Sequence, residues 1–199
     1  MSEASETPLF PLNTVLFPGG PLSLRIFEPR YVDMVAERMR NEQPFGVCLI
    51  RDGEEAGEAA TAHEIGTFAR IVDFQKFEDG ILGISAVGEG RFRVLSTQVR
   101  PNQLLVGRVE PLPEEPEEAL SDEFAAIPDL VRTLMDRTGP LYESLPKRYD
   151  DPTWLGYRLA EVLPIPLTRK QQFLELENPL LRLEQIGEVL RAIAEKEDG

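Results

Sequence analysis

The chain has 199 residues, 42% of them hydrophobic, enough for one large domain or two small ones around a sizeable core. Its formal charge is −14: 11 basic against 16 acidic residues up to Leu112 (net −5), and 10 against 19 beyond it (net −9). Such a field repels phosphate backbones, no apolar run approaches the roughly 20 residues that span a bilayer, and the acidic start Met1-Ser2-Glu3-Ala4-Ser5-Glu6 lacks the basic region of a secretory signal.

The opening run, from Pro8-Leu9-Phe10-Pro11 to Phe17-Pro18-Gly19-Gly20, is rich in apolar residues but interrupted by Pro and Gly. Internal prolines exclude an amphipathic helix, so the run predicts short strands joined by tight turns. Phe27-Glu28-Pro29-Arg30-Tyr31 ends a strand and opens a helix, with Pro29 in the first turn. Tyr31, Val35 and Met39 recur at helical spacing, and the helix is expected to stop near Asn41. Phe45 to Ile50 reads as a buried strand, and residues 51–60, small and acidic, as a mobile loop. From Thr67 to Lys76 apolar and polar residues do not alternate cleanly, which predicts a strand partly covered on both faces. Glu78-Asp79-Gly80 signals a hairpin turn. Two further strands are expected on either side of Gly88-Glu89-Gly90, then one from Leu104 to Val109. Closely spaced strands with Gly-rich turns indicate a small barrel or sandwich.

Between Glu110 and Glu118, prolines mix with glutamates, as in an extended, self-repelling linker or surface crossing. The period then becomes helical. Ser121 can cap a helix carrying Phe124, Ile127, Val131 and Leu134, which Pro128 must kink or restart. Asp151-Pro152 opens another with Trp154, Leu155, Leu159 and Val162. Thr168 and Gln171 have the spacing of a capping box. Asn178-Pro179 starts the last helix, with Leu180, Leu183, Ile186, Leu190 and Ile193 on one face. The expectation is an α+β fold, with residues 1–112 forming a β-barrel with one inserted helix and 113–199 a helical bundle.

Catalysis needs converging groups, and few are present. His63, the single histidine, lies in a small-residue segment without a visible partner, so a solvent-facing loop position is expected. Cys48, the single cysteine, sits among Val47, Leu49 and Ile50, where an inert buried thiol is expected; one thiol cannot form an internal disulfide, which fits a reducing cytoplasm. One Cys and one His cannot build a four-ligand zinc site. No phosphate-binding loop of the Gly-x-x-x-x-Gly-Lys-Ser/Thr kind occurs, and Gly88-x-Gly90 is too short for a dinucleotide fingerprint. Arg91, Phe92 and Arg93, with Arg100, read as an amphipathic strand more readily than as a nucleic-acid strip. Neither catalytic residues nor a cofactor or metal is expected.

Taken together, these pieces resemble the amino-terminal substrate-binding domain of Lon proteases. The resemblance rests on the Pro8–Gly19 run, Phe27-Glu28-Pro29-Arg30-Tyr31, Phe45-Gly46-Val47, Gly66-Thr67-Phe68-Ala69 and Gly88-x-Gly90-Arg91-Phe92-Arg93. It continues through Leu163-Pro164-Ile165-Pro166, Lys170-Gln171 and Leu181-Arg182-Leu183. The first part is also similar to cereblon. The resemblance implies a PUA-like barrel followed by a helical bundle, and engagement of unfolded or tagged polypeptides. The ATPase and the serine–lysine peptidase of Lon are not expected within these 199 residues, and Ser85, in a strand pattern, is no peptidase serine.

The leading expectation is a cytoplasmic, non-enzymatic module that binds unfolded or extended polypeptides through exposed apolar surface and strand edges, in company with a protease or chaperone component. Phe17, Phe27, Glu28, Arg30 and Tyr31 are the candidate contacts. The alternative, suggested by the PUA-like barrel alone, is nucleic-acid binding, and the charge of −14 counts against it.

Overall fold

The computed structural model describes residues 4–78 and 80–197. The expectations at Met1, Ser2, Glu3 and Asp79 fall outside the described residues. The chain divides into two compact units, Met1–Glu114 and Glu115–Gly199.

The first unit is built from β1 (Ser5–Leu12), β2 (Pro21–Ile26), α1 (Pro29–Arg40), β3 (Phe45–Asp52), β4 (Thr61–Ala62), β5 (Ile65–Lys76), β6 (Leu82–Val99) and β7 (Leu105–Pro111). β1 pairs with β7, β7 with β6, β6 with β5, β5 with β3, and β3 returns to β1, so five strands pair in a cycle. All these pairings are antiparallel except β1 with β3. The first half of β1 pairs with β7 and the second half with β3. Among the described residues each half therefore has one edge that no strand pairs, and a strand with such edges tolerates Pro8 and Pro11, which lack an N–H.

Successive residues of a strand point to opposite faces. In β1 both faces are covered: Phe10 and Leu12 join a core with Tyr31, Met34, Val35, Phe45 and Ile84, while Leu9 packs with Cys48, Phe92 and Val109. Phe10 stacks on Tyr31 with ring centroids 3.8 Å apart. α1 starts at Pro29 and presents Tyr31, Met34 and Val35 to that core. It ends at Asn41, as expected, and Glu42 then takes a left-handed φ of 52° to turn the chain.

Three expectations for this unit are corrected. The two strands around Gly88-Glu89-Gly90 are one continuous strand, β6. Gly88 serves close approach there, not a turn: the Gly19 N–H donates to Gly88 O and the Gly88 N–H to Gly20 O, each at 2.8 Å. A Cβ on Gly88 would lie 2.3 Å from Phe17 O. Arg91 and Arg93 do not make the exposed polar face of an amphipathic strand: Arg91 is buried like Phe92, and only Arg93 of that trio is exposed. Finally, β5 is covered only along its first half; Val72, Asp73, Phe74, Gln75 and Lys76 are all exposed. The acidic 51–60 loop is tethered, by Glu55 accepting from the Asn13 N–H and by a longer 3.5 Å contact from the Gly57 N–H to Glu28.

The second unit follows with a 3-10 turn, Asp122–Phe124, and helices α2 (Ile127–Met135), α3 (Pro140–Glu143), α4 (Pro152–Val162), α5 (Leu167–Glu175) and α6 (Pro179–Glu197). Pro128 restarts the helix, as its position in the first turn of α2 requires. Asp151 caps α4 by accepting from the N–H groups of Thr153 and Trp154. Asn178 accepts from the Leu181 N–H. The capping box at Thr168 and Gln171 does not form: Pro166 precedes α5, and Gln171 is buried, donating to Glu175. Val131, Leu155, Leu159, Phe173, Leu183 and Ile186 fill the core. The proline–glutamate segment is more than a linker, because Glu115 is drawn inside by Arg182.

Candidate functional site

Of the five residues expected at a contact surface, three are interior. Phe17 has no exposed area, and Tyr31 and Arg30 are buried. Arg30 donates to Gln103 O at 2.7 Å, pairs with the Glu28 carboxylate at 2.9 Å and lies over the Tyr31 ring. Burial pushes the Tyr31 phenol up from its ordinary pKa, against the lowering effect of Arg30. The Glu28–Arg30–Tyr31 group is thus a clamp that holds the start of α1 in place. Phe27 is 66% exposed and is the one apolar member left at the surface.

A second uncovered apolar feature lies on β5 of the first unit. β5 pairs with β3 only from Thr67 to Ala69, while its pairing with β6 runs on to Lys76. Beyond Ala69, no strand pairs with the far edge of β5 among the described residues. Val72 and Phe74 are 48% and 57% exposed there. A groove of about 530 Å³ runs between this half-strand, Arg70 to Phe74, and the end of α1, at Arg38, Met39, Glu42 and Gln43. Met39 and Ile71, both half-buried, pack against the main core and connect the groove to it. The volume falls in the range of sites that hold small peptides or ligands.

Hydrogen-bond parity fixes what the edge presents. The Phe77 N–H donates to Ile81 O, and the register places Gln75 opposite Gly83 and Phe74 opposite Ile84. Antiparallel ladders alternate bonded and non-bonded pairs. Gln75 therefore bonds to β6, while the backbone groups of Phe74 and Lys76 point outward. The Phe74 N–H donates to the Asp73 carboxylate, 2.8 Å away. A bulge between Ile71 and Asp73 precedes this point. Around the rim Arg38 donates to Gln43 and Glu37, and Arg70 to Glu89. The Arg38 Nε is buried and makes no hydrogen bond. The sequence signal for the groove is the failure of Thr67 to Lys76 to alternate, and the cover expected on both faces is confined to the first half of β5.

Cys48 and His63 each sit in a structural setting. Burial raises the Cys48 thiol to a pKa of about 12, which keeps it protonated and unreactive. His63 is half-buried rather than solvent-facing, with its backbone N–H bonded to Leu49 O. Among the described residues, no group of three or more His, Cys, Asp and Glu could hold a metal ion, and no helix is long and apolar enough to cross a membrane. In the second unit Glu161 accepts from the Tyr142 hydroxyl and pairs with Arg158, each at 3.1 Å. Desolvation raises the Glu161 pKa, although Arg158 opposes it. The void beside this cluster is about 10 Å³, room for no more than a water.

The substrate-binding domain of ATP-dependent protease La (LON) matches residues 6–192 as a family model. A Lon protease of Anaeromyxobacter dehalogenans is 29% identical over 191 residues, 92% of this chain and 22% of that protein. Cereblon of Xenopus tropicalis is 33% identical over 113 residues, 55% of this chain and 24% of that protein. The chain thus spans about a fifth to a quarter of the length of these relatives. Among solved structures, a Lon N-terminal domain protein from Xanthomonas campestris is similar with a TM-score of 0.77 and 35% identity, covering 92% of this chain and 96% of that one. The N-terminal domain of a Mycobacterium avium complex Lon protease, at 17% identity and a TM-score of 0.64, shares the fold. With a match across nearly its whole length, the chain belongs to the Lon substrate-binding domain family.

Proposed function

We propose that the protein is a non-enzymatic, cytoplasmic module that binds apolar segments of unfolded or extended polypeptides in the groove between α1 and the outer half of β5. The observation that carries this reading is the exposure of Val72 and Phe74 beside that groove. Membership of a substrate-binding family supports polypeptide as the ligand class. The cycle of five strand pairings is what a PUA-like barrel requires, and we take residues 1–112 as that barrel and 113–199 as its helical companion. Phe27 is a secondary contact in this reading; Phe17, Arg30 and Tyr31 act as scaffold. A protease or chaperone component is the kind of partner that would receive the bound segment.

Apolar burial contributes roughly 25 cal/mol per Å² before association costs, so a groove of this size supports binding of micromolar order. Calorimetry with a permanently unfolded, carboxymethylated protein tests the reading. Phe74→Ser, at an exposed position, is expected to weaken binding about tenfold without unfolding the chain. No binding by the wild type, or salt-sensitive binding to RNA in its place, would sink the proposal.

A further inference from the structure

We infer that the polypeptide binds by strand addition: it pairs with the outer edge of β5 at Phe74 and Lys76, and the Asp73 carboxylate is an internal competitor that the incoming backbone displaces. This rests on the reading of the groove as a polypeptide site and names the mode and the segment class. The occupant is an extended segment with apolar residues at alternate positions and basic flanks.

Three observations carry it. The outward-facing N–H and C=O groups of Phe74 and Lys76 form one two-residue repeat of an antiparallel ladder, the spacing at which an extended chain offers complementary groups. The Phe74 N–H is already satisfied by a carboxylate oxygen at 2.8 Å, where a peptide carbonyl would sit. Asp73 is exposed, so its carboxylate can swing into solvent when a carbonyl replaces it. Free strand edges pair promiscuously unless covered by charge or a bulge, and here both stand at one point, the bulge at Ile71/Asp73 and the carboxylate beside it. The cover is a single hydrogen bond, weak enough for a chain offering several to displace. The side chains of that chain would meet Val72, Phe74 and Met39. Basic flanks suit the excess of acidic residues outside the groove, net −5 up to Leu112, because the lining itself carries both signs, Arg38 and Arg70 with Glu42 and Asp73.

The test uses the full chain and a short synthetic peptide in which valine alternates with threonine between lysine ends, followed by fluorescence anisotropy. A second peptide carries N-methyl groups on its central amides, which keeps every side chain and removes the donors. The unmethylated peptide is expected to bind and the methylated one to bind at least about tenfold more weakly. Asp73→Ala is expected to tighten the unmethylated peptide about fivefold, by removing the competitor. Equal binding of both peptides would overturn strand addition while leaving the groove reading intact. An Asp73→Ala variant with unchanged or weaker affinity would overturn the competitor role. Failure of both peptides, together with failure of the unfolded protein, would remove the groove reading itself. A stable dimer joined through β5 edges, which the peptide cannot dissociate, would assign the edge to a second copy and overturn the inference.

Discussion

Glu115 and Arg182, 67 positions apart, meet as a buried two-point ion pair, with Arg182 Nη1 donating to Glu115 Oε2 at 2.8 Å. The second guanidinium nitrogen donates to the other carboxylate oxygen and to Leu176 O, and Nε donates to Phe173 O at 2.9 Å. Tyr157 adds its hydroxyl to the same carboxylate and its ring to the guanidinium face. A planar fork with five donors is suited to this role, which lysine could not fill. The pair ties the proline–glutamate segment to α6, at the head of the second unit. Removing one partner leaves a buried charge uncompensated, so Glu115→Ala is expected to cost about 3–5 kcal/mol in urea unfolding. A loss under about 1 kcal/mol would show that solvent reaches Arg182.

The aromatic residues of the opening segment divide by burial. Phe17 has no exposed area and Phe27 is two-thirds exposed. Phe17→Ala is expected to cost about 3–5 kcal/mol of stability, as large core truncations do. Phe27→Ser is expected to stay within about 0.5 kcal/mol of wild type. Thermal unfolding of both variants checks this, and the reverse ranking would mean that the segment packs differently in solution.

Cys48 links stability to alkaline pH. Its thiol is raised from 9.0 to about 12 by burial, so between those values the unfolded chain is ionised while the native one holds its proton. The native state then binds more protons, and stability falls as pH rises. The contribution is fully present below about pH 9 and declines by at most about 1.4 kcal/mol per pH unit above it. Cys48→Ala should lack this slope. Comparing urea midpoints of the two proteins on either side of pH 9 measures it. In the native state at neutral pH, thiol reagents should label Cys48 only as fast as the chain opens.

Local rules were legible where one residue decides the outcome. Pro29 and Pro179 start helices, Asp151 caps one, and Asn41 ends α1, all at the positions their chemistry favours. The prolines of the opening run made β1 legible as a strand and not a helix, but that both of its faces are covered shows only in the packing of Phe10 and Leu12 on one side and Leu9 on the other. What stayed hidden depends on partners distant in the chain. Nothing local distinguishes Glu115 from Glu114 or Glu117, yet Arg182 selects it. Likewise, Val72 and Phe74 look like core residues of a strand, and only the end of the β3 pairing at Ala69 leaves them uncovered. The candidate site was therefore less readable than the fold, because it consists of a neighbour that stops short. The aromatic residues near Pro29 attracted attention for the opposite reason: a dense motif whose density serves packing.

Gly88, expected in a turn but placed within β6, makes the sharpest test of the opening segment's position. It lies inside β6, paired with Ala69 of β5, and exchanges hydrogen bonds with Gly19 and Gly20. The hydroxyl of buried Thr67 donates to Leu16 O at 2.6 Å and fixes the same segment from the neighbouring strand. A Cβ at Gly88 would approach Phe17 O to 2.3 Å and Phe17 C to 3.1 Å, and backbone atoms cannot turn aside as a flexible side chain could. Gly88→Ala must therefore push residues 17–20 off the sheet, breaking the two 2.8 Å bonds and loosening Phe17. Ordinary overpacking costs about 1–3 kcal/mol, and the lost hydrogen bonds place this substitution at or above the upper end. Gly90→Ala, two residues on, meets nothing within 4 Å and serves as the control, expected to change stability by less than about 1 kcal/mol. Urea unfolding of the pair, with hydrogen exchange at the amides of Gly19 and Gly88, reads both effects. Equal, small losses for the two variants would show that the 17–20 segment does not lie against β6.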